Sequence, residues 1–214
     1  YPVRVCIGAI VLSHFSNARL ETCSKLLSKI KPPREVASSQ FISRYIAKYC
    51  NKVKSTSHFF DKQLEMIKDL LQPSRHRHQI IYAQNLLINF SIYATHTIDS
   101  CLSAFVEVLI SAFQHNLIEV VDTASKALNN YFKLTKQKQY LPNLYNSAIQ
   151  FINSKMKSGI IILTSLIDYF PERFIDRAEN MMEIAQNLQT KERSLCYNLE
   201  IMVVPIHYDI FIRI

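Results

Sequence analysis

Glycine and tryptophan are scarce in this sequence. The 214 residues contain 2 glycines and no tryptophan. All-β folds and phosphate-cradling loops need glycine at positive φ, so the composition argues against both. Gly8 is the one glycine near a phosphate-loop position, and no second glycine lies close to it. The scarcity therefore favours a helical protein without a nucleotide-binding loop.

The cysteines form no recognisable pattern. Five are present, and no CxxC or CxxH pair occurs among them: Cys6, Cys23, Cys50, Cys101 and Cys196. Neither a zinc site nor a disulfide framework is indicated, and we expect no metal and no cofactor. Most of these cysteines lie among apolar neighbours, which is typical of buried reduced thiols in a cytosolic protein.

Long apolar runs are also missing. No run reaches the ~18 residues that a membrane span requires. The chain begins with tyrosine and not methionine, so targeting and lipidation signals before it cannot be judged. No shift in composition marks a boundary, so we expect one helical-repeat domain over residues 1–214, as a fragment of a longer chain.

The stretch from Arg75 to Lys133 contains neither glycine nor proline. Apolar residues recur there at steps of three and four, which predicts three helices. Their expected ranges are Gln79 to Ala94, Ile98 to Phe113, and Leu117 to Lys133. Polar breaks separate the helices, with Thr97 and Asn116 as the expected N-caps. The first helix carries apolar residues around more than one face, so we expect it to be buried on more than one side.

The lengths of these helices suggest the architecture. Short links force neighbouring helices to run antiparallel, and about 40 residues per helix pair is the period of HEAT and armadillo repeats. We therefore predict an all-α, right-handed α-solenoid of about nine or ten helices. A four-helix bundle, or ordinary core helices of another all-α domain, would also fit.

Flanking segments continue the helical pattern. A break is expected at Ser158-Gly159 and an extended segment at the C-terminus. The expected helices are Tyr1 to Phe15, Ala18 to Ile30 capped by Asn17, Ala37 to Val53, Phe59 to Leu71, one opening at Leu141-Pro142, Ile160 to Phe170, Pro171 to Leu188, and Leu195 to Val204. For Tyr1 to Phe15 the β-branched residues would also fit a strand.

Positive charge is concentrated in the first third of the chain. Residues 1–78 contain 14 Lys and Arg against 5 Asp and Glu, whereas the remainder contains 11 against 12. Several of these cations fall on solvent faces of two consecutive helices or in the link between them. We expect a lipid- or anion-binding surface formed by Lys25, Lys29, Lys31, Arg34, Arg44, Lys48 and Lys52. A solvated face that only confers solubility is the alternative.

The run Arg75-His76-Arg77-His78 suggests a catalytic or phosphate-binding cluster. Two histidines at i and i+2 point to different sides of a helix, and no third metal ligand is evident. A polar, basic helix start explains the run more simply. Tyr45 and Tyr49 lie near the basic residues but on an apolar face, which favours core positions over base stacking. No catalytic motif is present, so we expect no enzyme activity and no small-molecule substrate.

Part of the chain resembles a known family. The likeness covers about residues 73 to 152, and Arg75-His76-Arg77 leads into helices similar to those of the rolling blackout family. That family supplies the plasma-membrane scaffold of the type III phosphatidylinositol 4-kinase complex. The likeness is carried by the Arg-His-Arg turn and by Leu86-Leu87, Ile98, Phe105, Val106, Leu109, Phe132 and Tyr145.

The resemblance implies an armadillo- or HEAT-like rod, a basic face on anionic lipid, and recruitment of a lipid kinase through partner proteins. It also implies palmitoylated N-terminal cysteines, but Cys6 and Cys23 form no cluster.

The first hypothesis is therefore a scaffold in a larger protein complex, cytoplasmic and peripheral at the plasma membrane. The second is a HEAT-type adaptor of a nuclear or transport assembly that binds protein or nucleic acid, and the third is a helical enzyme. Anionic lipid is preferred to nucleic acid as the partner of the basic surface.

Overall fold

The computed structural model describes residues 20–52, 57–134, 141–154 and 156–173. Within these ranges the chain forms nine α-helices and one 3₁₀ turn, and no strand occurs there. The all-α prediction is confirmed for this part of the chain. The chain divides between Tyr140 and Leu141 into two compact units.

The first unit contains seven described helices. The three central helices predicted between Arg75 and Lys133 are present, with one short helix added between the first two. The seven are α1 Leu20–Leu27, α2 Val36–Lys52, α3 Ser57–Leu70, α4 Arg77–Tyr93, α5 Thr95–Ser100, α6 Leu102–Phe113 and α7 Ile118–Leu134.

Prolines lie in two of the links between the helices of this unit. Pro32 and Pro33 lie in the link between α1 and α2, and Pro73 lies between α3 and α4. Proline lacks the amide hydrogen that a helix interior needs and disfavours helical geometry in the residue before it. Pro32 and Pro33 therefore separate α1 from α2, and Pro73 separates α3 from α4.

Helix α4 lies at the centre of the first unit. It packs against α2 and α7, and it also contacts α3 and α5. Its buried side chains cover about half of the helix circumference: Ile80, Tyr82, Ala83, Leu86, Leu87, Phe90 and Ser91. The helix packs on more than one neighbour, but the additional apolar face that predicted wider burial is only half-buried at Ile81 and Ile88, and Ile92 is 41% exposed. Helices α2, α4 and α7 form one layer, and α3 and α6, which pack on each other, form a second.

The predicted N-caps of the central stretch are wrong. Thr97 lies inside α5, where its hydroxyl donates a hydrogen bond to the Cys50 carbonyl over 2.8 Å. It therefore ties α5 to the end of α2 instead of capping the next helix. At the following break, the Leu117 amide donates to Nδ1 of His115 over 3.0 Å. The polar side chain used there is His115 and not Asn116.

The second unit is described from Leu141 to Arg173, apart from residue 155. Its helices α8 Leu141–Asn153 and α9 Lys157–Tyr169 pack against each other, and a 3₁₀ turn follows at Pro171–Arg173. Pro142 lies in the first turn of α8, as predicted.

The break expected at Ser158-Gly159 is wrong, because both residues lie inside α9 and the chain turns before it. Gly159 instead allows close packing of two helices. A Cβ there would lie 2.5 Å from the Ala148 carbonyl oxygen of α8.

Several predicted elements lie outside the described residues. These are the helix over residues 1–15, the cap at Asn17, the helices after Arg173 and the C-terminal extended segment. Cys6 and Cys196 also lie outside. In the described ranges, no helix has the combination of length and apolar character needed to cross a bilayer.

Candidate anion-binding surface

Four of the predicted cations belong to α1 or to the link that follows it. We call Lys25, Lys29, Lys31 and Arg34 the α1 basic group, and all four are exposed. Helix α1 is held by its apolar side, where Cys23, Leu27 and Ile30 are buried. A hydrogen bond of 2.8 Å joins the Ser24 hydroxyl to the Tyr49 hydroxyl of α2. The apolar side thus faces the protein, and the cations face solvent.

Arg44 and Lys48 of α2 lie together over one aromatic ring, and we call them the Tyr93 cation pair. The Arg44 Cζ atom is 5.3 Å from the centre of the Tyr93 ring, and the Lys48 Nζ atom is 5.2 Å from it. Both distances lie within the ~6 Å range of a cation–π interaction. The ring therefore attracts both cations, and their spacing of four residues on α2 places them near each other.

No carboxylate neutralises this pair within the described part of the chain. The ion pairs found there join Lys68 to Glu107 and Arg75 to Asp69. Arg44 and Lys48 are both exposed on the outer side of α2. Two adjacent exposed cations without an acidic partner form a site where an anion would be stabilised.

A ladder of amides fixes the position of Tyr93 beside α2. Asn85 of α4 donates to the Ser39 hydroxyl over 2.9 Å, and Asn89 donates to the Ser43 hydroxyl over 2.9 Å. Each bond joins residues 46 apart in the sequence, so α2 and α4 run parallel with a fixed offset. The same offset places Tyr93 beside Ala47, between Arg44 and Lys48.

Six of the seven predicted residues therefore fall into two described groups. Tyr49 lies on the side of α2 that faces α1, whereas Arg44 and Lys48 lie over Tyr93 of α4. The structure brings Arg44 and Lys48 together and places the α1 basic group on the neighbouring helix. The side chain of Lys52 lies outside the described residues.

Sequence reasoning missed Tyr93, although a signal for it exists. Serines at 39 and 43 and asparagines at 85 and 89 share a spacing of four, which would pair α2 with α4. Extending the spacing by four more residues reaches Tyr93. Tyr49, by contrast, is buried, as predicted, and its ring packs edge-on against Phe59 of α3 at 5.6 Å.

The described histidines and cysteines do not form a catalytic or metal-binding group. The rings of His76 and His78 stack with centres 5.8 Å apart at the start of α4. No group of three or more potential metal ligands occurs among the described residues. Burial raises the pKa of the Cys23 and Cys50 thiols, and it raises that of Cys101 to about 11. These thiols are therefore protonated at neutral pH and are poor nucleophiles.

Comparison with known proteins identifies no relative of this chain. The chain matches no family model, no curated protein and no solved structure. The likeness to the rolling blackout family therefore stays a prediction from the residues that carry it.

Proposed function

We propose that this chain is a non-enzymatic helical-repeat scaffold that binds an anionic membrane surface through its basic α1–α2 region. The Tyr93 cation pair carries the proposal. Arg44 and Lys48 are exposed, lie about 5 Å from one ring and have no carboxylate partner within the described residues. A lipid headgroup that carries a phosphate or a carboxylate supplies the missing negative charge.

The register of the helices supports a solenoid of HEAT or armadillo type. Bonds between α2 and α4 join residues 46 apart, and bonds between α4 and α7 join residues 39 apart. Both separations are close to the ~40–47 residues of such repeats. Three parallel helices in one layer, with α3 and α6 in the other, are the arrangement that repeated helix pairs produce.

The charge distribution supports the membrane part of the proposal. Residues 1–78 contain 14 Lys and Arg but only 5 Asp and Glu. The α1 basic group lies on α1, which is next to the helix that carries the Tyr93 cation pair. Attraction to an anionic leaflet adds up over the basic residues within a Debye length of the surface. We place the chain in the cytoplasm, peripheral at the plasma membrane, because the inner leaflet supplies such lipids.

The proposal about partner proteins rests only on the resemblance to the rolling blackout family. A scaffold similar to the rolling blackout family would hold a lipid kinase complex at the membrane, and we propose that role for the protein surfaces of this chain. Flotation of purified kinase complex with vesicles, in the presence and absence of this chain, tests this role. We expect the kinase complex to float with the vesicles only when the chain is present, and the contrary result is that it floats without the chain. That result would remove the recruiting role and leave the membrane contact intact.

Vesicle flotation tests the membrane contact directly. Phosphatidylcholine vesicles are compared with vesicles that also contain phosphatidylserine or phosphoinositide. The test variant carries Arg44→Glu and Lys48→Glu. The control carries Lys126→Glu and Lys133→Glu on exposed positions of α7, which gives the same change in net charge. We expect binding that needs anionic lipid, and a loss of roughly tenfold or more in the test variant only.

Equal losses in both variants would mean that net charge alone drives binding, and the Tyr93 cation pair would not be a site. If no vesicle binds the wild-type chain, the membrane proposal fails for this chain. A labelled oligonucleotide is measured in parallel, because a nucleic-acid adaptor would bind it with a steep dependence on salt.

A further inference from the structure

A second surface feature lies at the other end of α4. A cleft of about 390 Å³ opens between the link that precedes α4 and the beginning of α7. The run Arg75-His76-Arg77-His78 enters α4 here, and both Arg75 and Arg77 line the cleft. Small ligand sites begin at about 300 Å³, so this cleft has room for one or two amino-acid side chains.

The inner wall of the cleft is apolar. Ile80 and Val120 are buried there, and Ile81 is half-buried. At the rim, Leu117 is 41% exposed, and its neighbour Ile118 is 58% exposed. Two large apolar side chains in solvent beside an apolar cleft favour contact with another apolar group.

The charged groups differ between the two sides of the cleft. Arg75 is paired with Asp69, whereas Arg77 is exposed and has no carboxylate partner within the described residues. Helices α4 and α7 both begin at this end, and their amino termini favour negative charge. Glu119 lines the opposite part of the cleft. An incoming carboxylate is therefore stabilised beside Arg77 at the start of α4, whereas the Glu119 carboxylate already lies in the first turn of α7 and opposes a second negative charge there.

Gln84 adds a hydrogen-bond acceptor between these two regions. Its side-chain nitrogen donates to the Glu119 carbonyl over 2.8 Å and to the Thr123 hydroxyl over 3.2 Å. These bonds orient the amide, and its oxygen accepts no hydrogen bond from the described residues. A backbone N–H of an extended peptide supplies a suitable donor.

We propose that this cleft binds a short segment of a partner protein that presents an apolar side chain next to a carboxylate. The apolar side chain lies against Ile80 and Ile81, and the carboxylate accepts hydrogen bonds from Arg77. The exposed Leu117 and Ile118 favour a peptide over a free small anion, because they extend the apolar contact beyond the cleft. This site is separate from the Tyr93 cation pair and does not depend on membrane binding.

The test uses the full chain and defined peptides followed by fluorescence anisotropy. The probe is a labelled, end-capped peptide of leucines and aspartates. One comparison peptide has lysine in place of aspartate, and another has serine in place of leucine. Arg77→Glu removes the cation, and an acidic residue in the first turn of α4 is compatible with the helix. Ile81→Ser weakens the apolar wall. Lys133→Glu, roughly 20 Å along α7, is the charge-matched control.

We expect the leucine–aspartate peptide to bind the wild-type chain and the control equally. Its affinity should fall roughly tenfold or more in Arg77→Glu, because a charge-assisted pair becomes a repulsive one. Ile81→Ser should also weaken it. Absence of binding to the wild-type chain, unchanged binding to Arg77→Glu, or equal binding of the lysine peptide would each overturn the proposal. Loss of phosphatidylserine-vesicle binding in Arg77→Glu, with peptide binding unchanged, would assign the cleft to lipid instead.

Discussion

Tyr93 gives two cations a defined position that neither would have alone. Lysine and arginine on a solvent face ordinarily sample many rotamers, and ordering them for a ligand costs side-chain entropy. Contact with the ring, at 5.3 Å for Arg44 and 5.2 Å for Lys48, removes part of that cost before an anion arrives. The position of the ring therefore matters as much as the charges above it.

Gly159 is the residue at which the smallest change should have a large effect. A Cβ there would lie 2.5 Å from the Ala148 oxygen and 2.8 Å from Cγ1 of Ile152. Gly159→Ala gains about 1 kcal/mol of helix propensity, but backbone contacts at this distance force the two helices apart. We expect the second unit to be destabilised by roughly 1–3 kcal/mol in urea unfolding followed by hydrogen exchange.

The neighbouring serine provides the control. Ser158 is buried, and its hydroxyl has no hydrogen-bond partner among the described residues. Ser158→Ala should therefore leave stability unchanged or raise it slightly. If Gly159→Ala and Ser158→Ala behave alike, the close packing of α8 and α9 is not the reason for glycine at this position.

His115 should make the first unit sensitive to mild acid. Desolvation by burial lowers its pKa from the ordinary 6.5, and the Leu71 backbone opposes this only in part. As the pH falls below about 6.5, the unfolded chain takes up a proton before the folded chain does. Stability is thus complete above that pH and is lost as the pH falls through the lower, folded-state pKa.

Urea unfolding of the wild-type chain and His115→Asn at about pH 5 and about pH 7.5 measures this effect. Asparagine keeps an acceptor for the Leu117 amide but does not titrate. We expect the wild-type chain to lose more stability than the variant between the two pH values. An equal loss in both proteins would assign the acid sensitivity to other groups.

At the scale of the helices, polar ladders fix the register of the central layer. Ser39 and Ser43 are 1% and 0% exposed, so the half-buried side chains of Asn85 and Asn89 donate to hydroxyls that are shielded from solvent. Apolar contacts tolerate sliding of one helix along another, whereas a misaligned buried amide loses its partner. The ladder therefore specifies which turn of α4 faces which turn of α2.

A double-mutant cycle on Ser43→Ala and Asn89→Ala tests the ladder. We expect a coupling energy of roughly 0.5–1.5 kcal/mol, because the bond between the two side chains is lost in either single variant and only once in the double. The bonds of Asn89 to the Asn85 carbonyl and of Ser43 to the Gln40 carbonyl are each lost in one variant only and cancel in the cycle. Ser100→Ala with Asn89→Ala is the control and should be additive, since Ser100 bonds only to nearby backbone carbonyls of α5. Additivity in both cycles would mean that the ladder does not set the register.

The helices themselves could be predicted from the sequence, but some of their boundaries could not. Steps of three and four between apolar residues predict α2, α3, α4 and α7 to within about two residues, whereas α6 begins four residues after the predicted Ile98. The short helix α5 was missed because Thr97 was interpreted as a cap, whereas its hydroxyl bonds to Cys50 across the fold. Gly159 was interpreted as a break, because its packing partner becomes visible only when α8 and α9 are placed together.

At the scale of the whole molecule, the sequence predicts which cations form the candidate site but not how they are arranged. Counting charges located the basic third of the chain, and the helical faces predicted which cations are exposed. The position of Arg44 and Lys48 over Tyr93 depends on the parallel pairing of α2 with α4, a contact between residues far apart in sequence. A pattern within one helix cannot predict such a contact.

The two basic groups should contribute separately to membrane binding. Changing Lys25, Lys29, Lys31 and Arg34 to Gln removes the α1 basic group and leaves the Tyr93 cation pair in place. We expect vesicle affinity to fall, and its dependence on salt to become weaker, because fewer cations remain near the surface. Flotation at two salt concentrations measures both changes, with Lys126→Gln and Lys133→Gln as the control. Affinity that is unchanged after removal of the α1 basic group would restrict the contact to α2.

The parallel pairing of α2 with α4 also sets an order of events on the ribosome. The asparagines that Ser39 and Ser43 require are 46 residues further along the chain. At ~5–20 residues per second, roughly 2–9 s separate the emergence of the serines from that of the asparagines. During that interval α3 emerges, and its Phe59 can pack on Tyr49. The nascent chain can therefore form the contact between α2 and α3 first and complete the layer of α2 and α4 later, and until then Ile42 and Ile46 of α2 lack the cover that α4 provides.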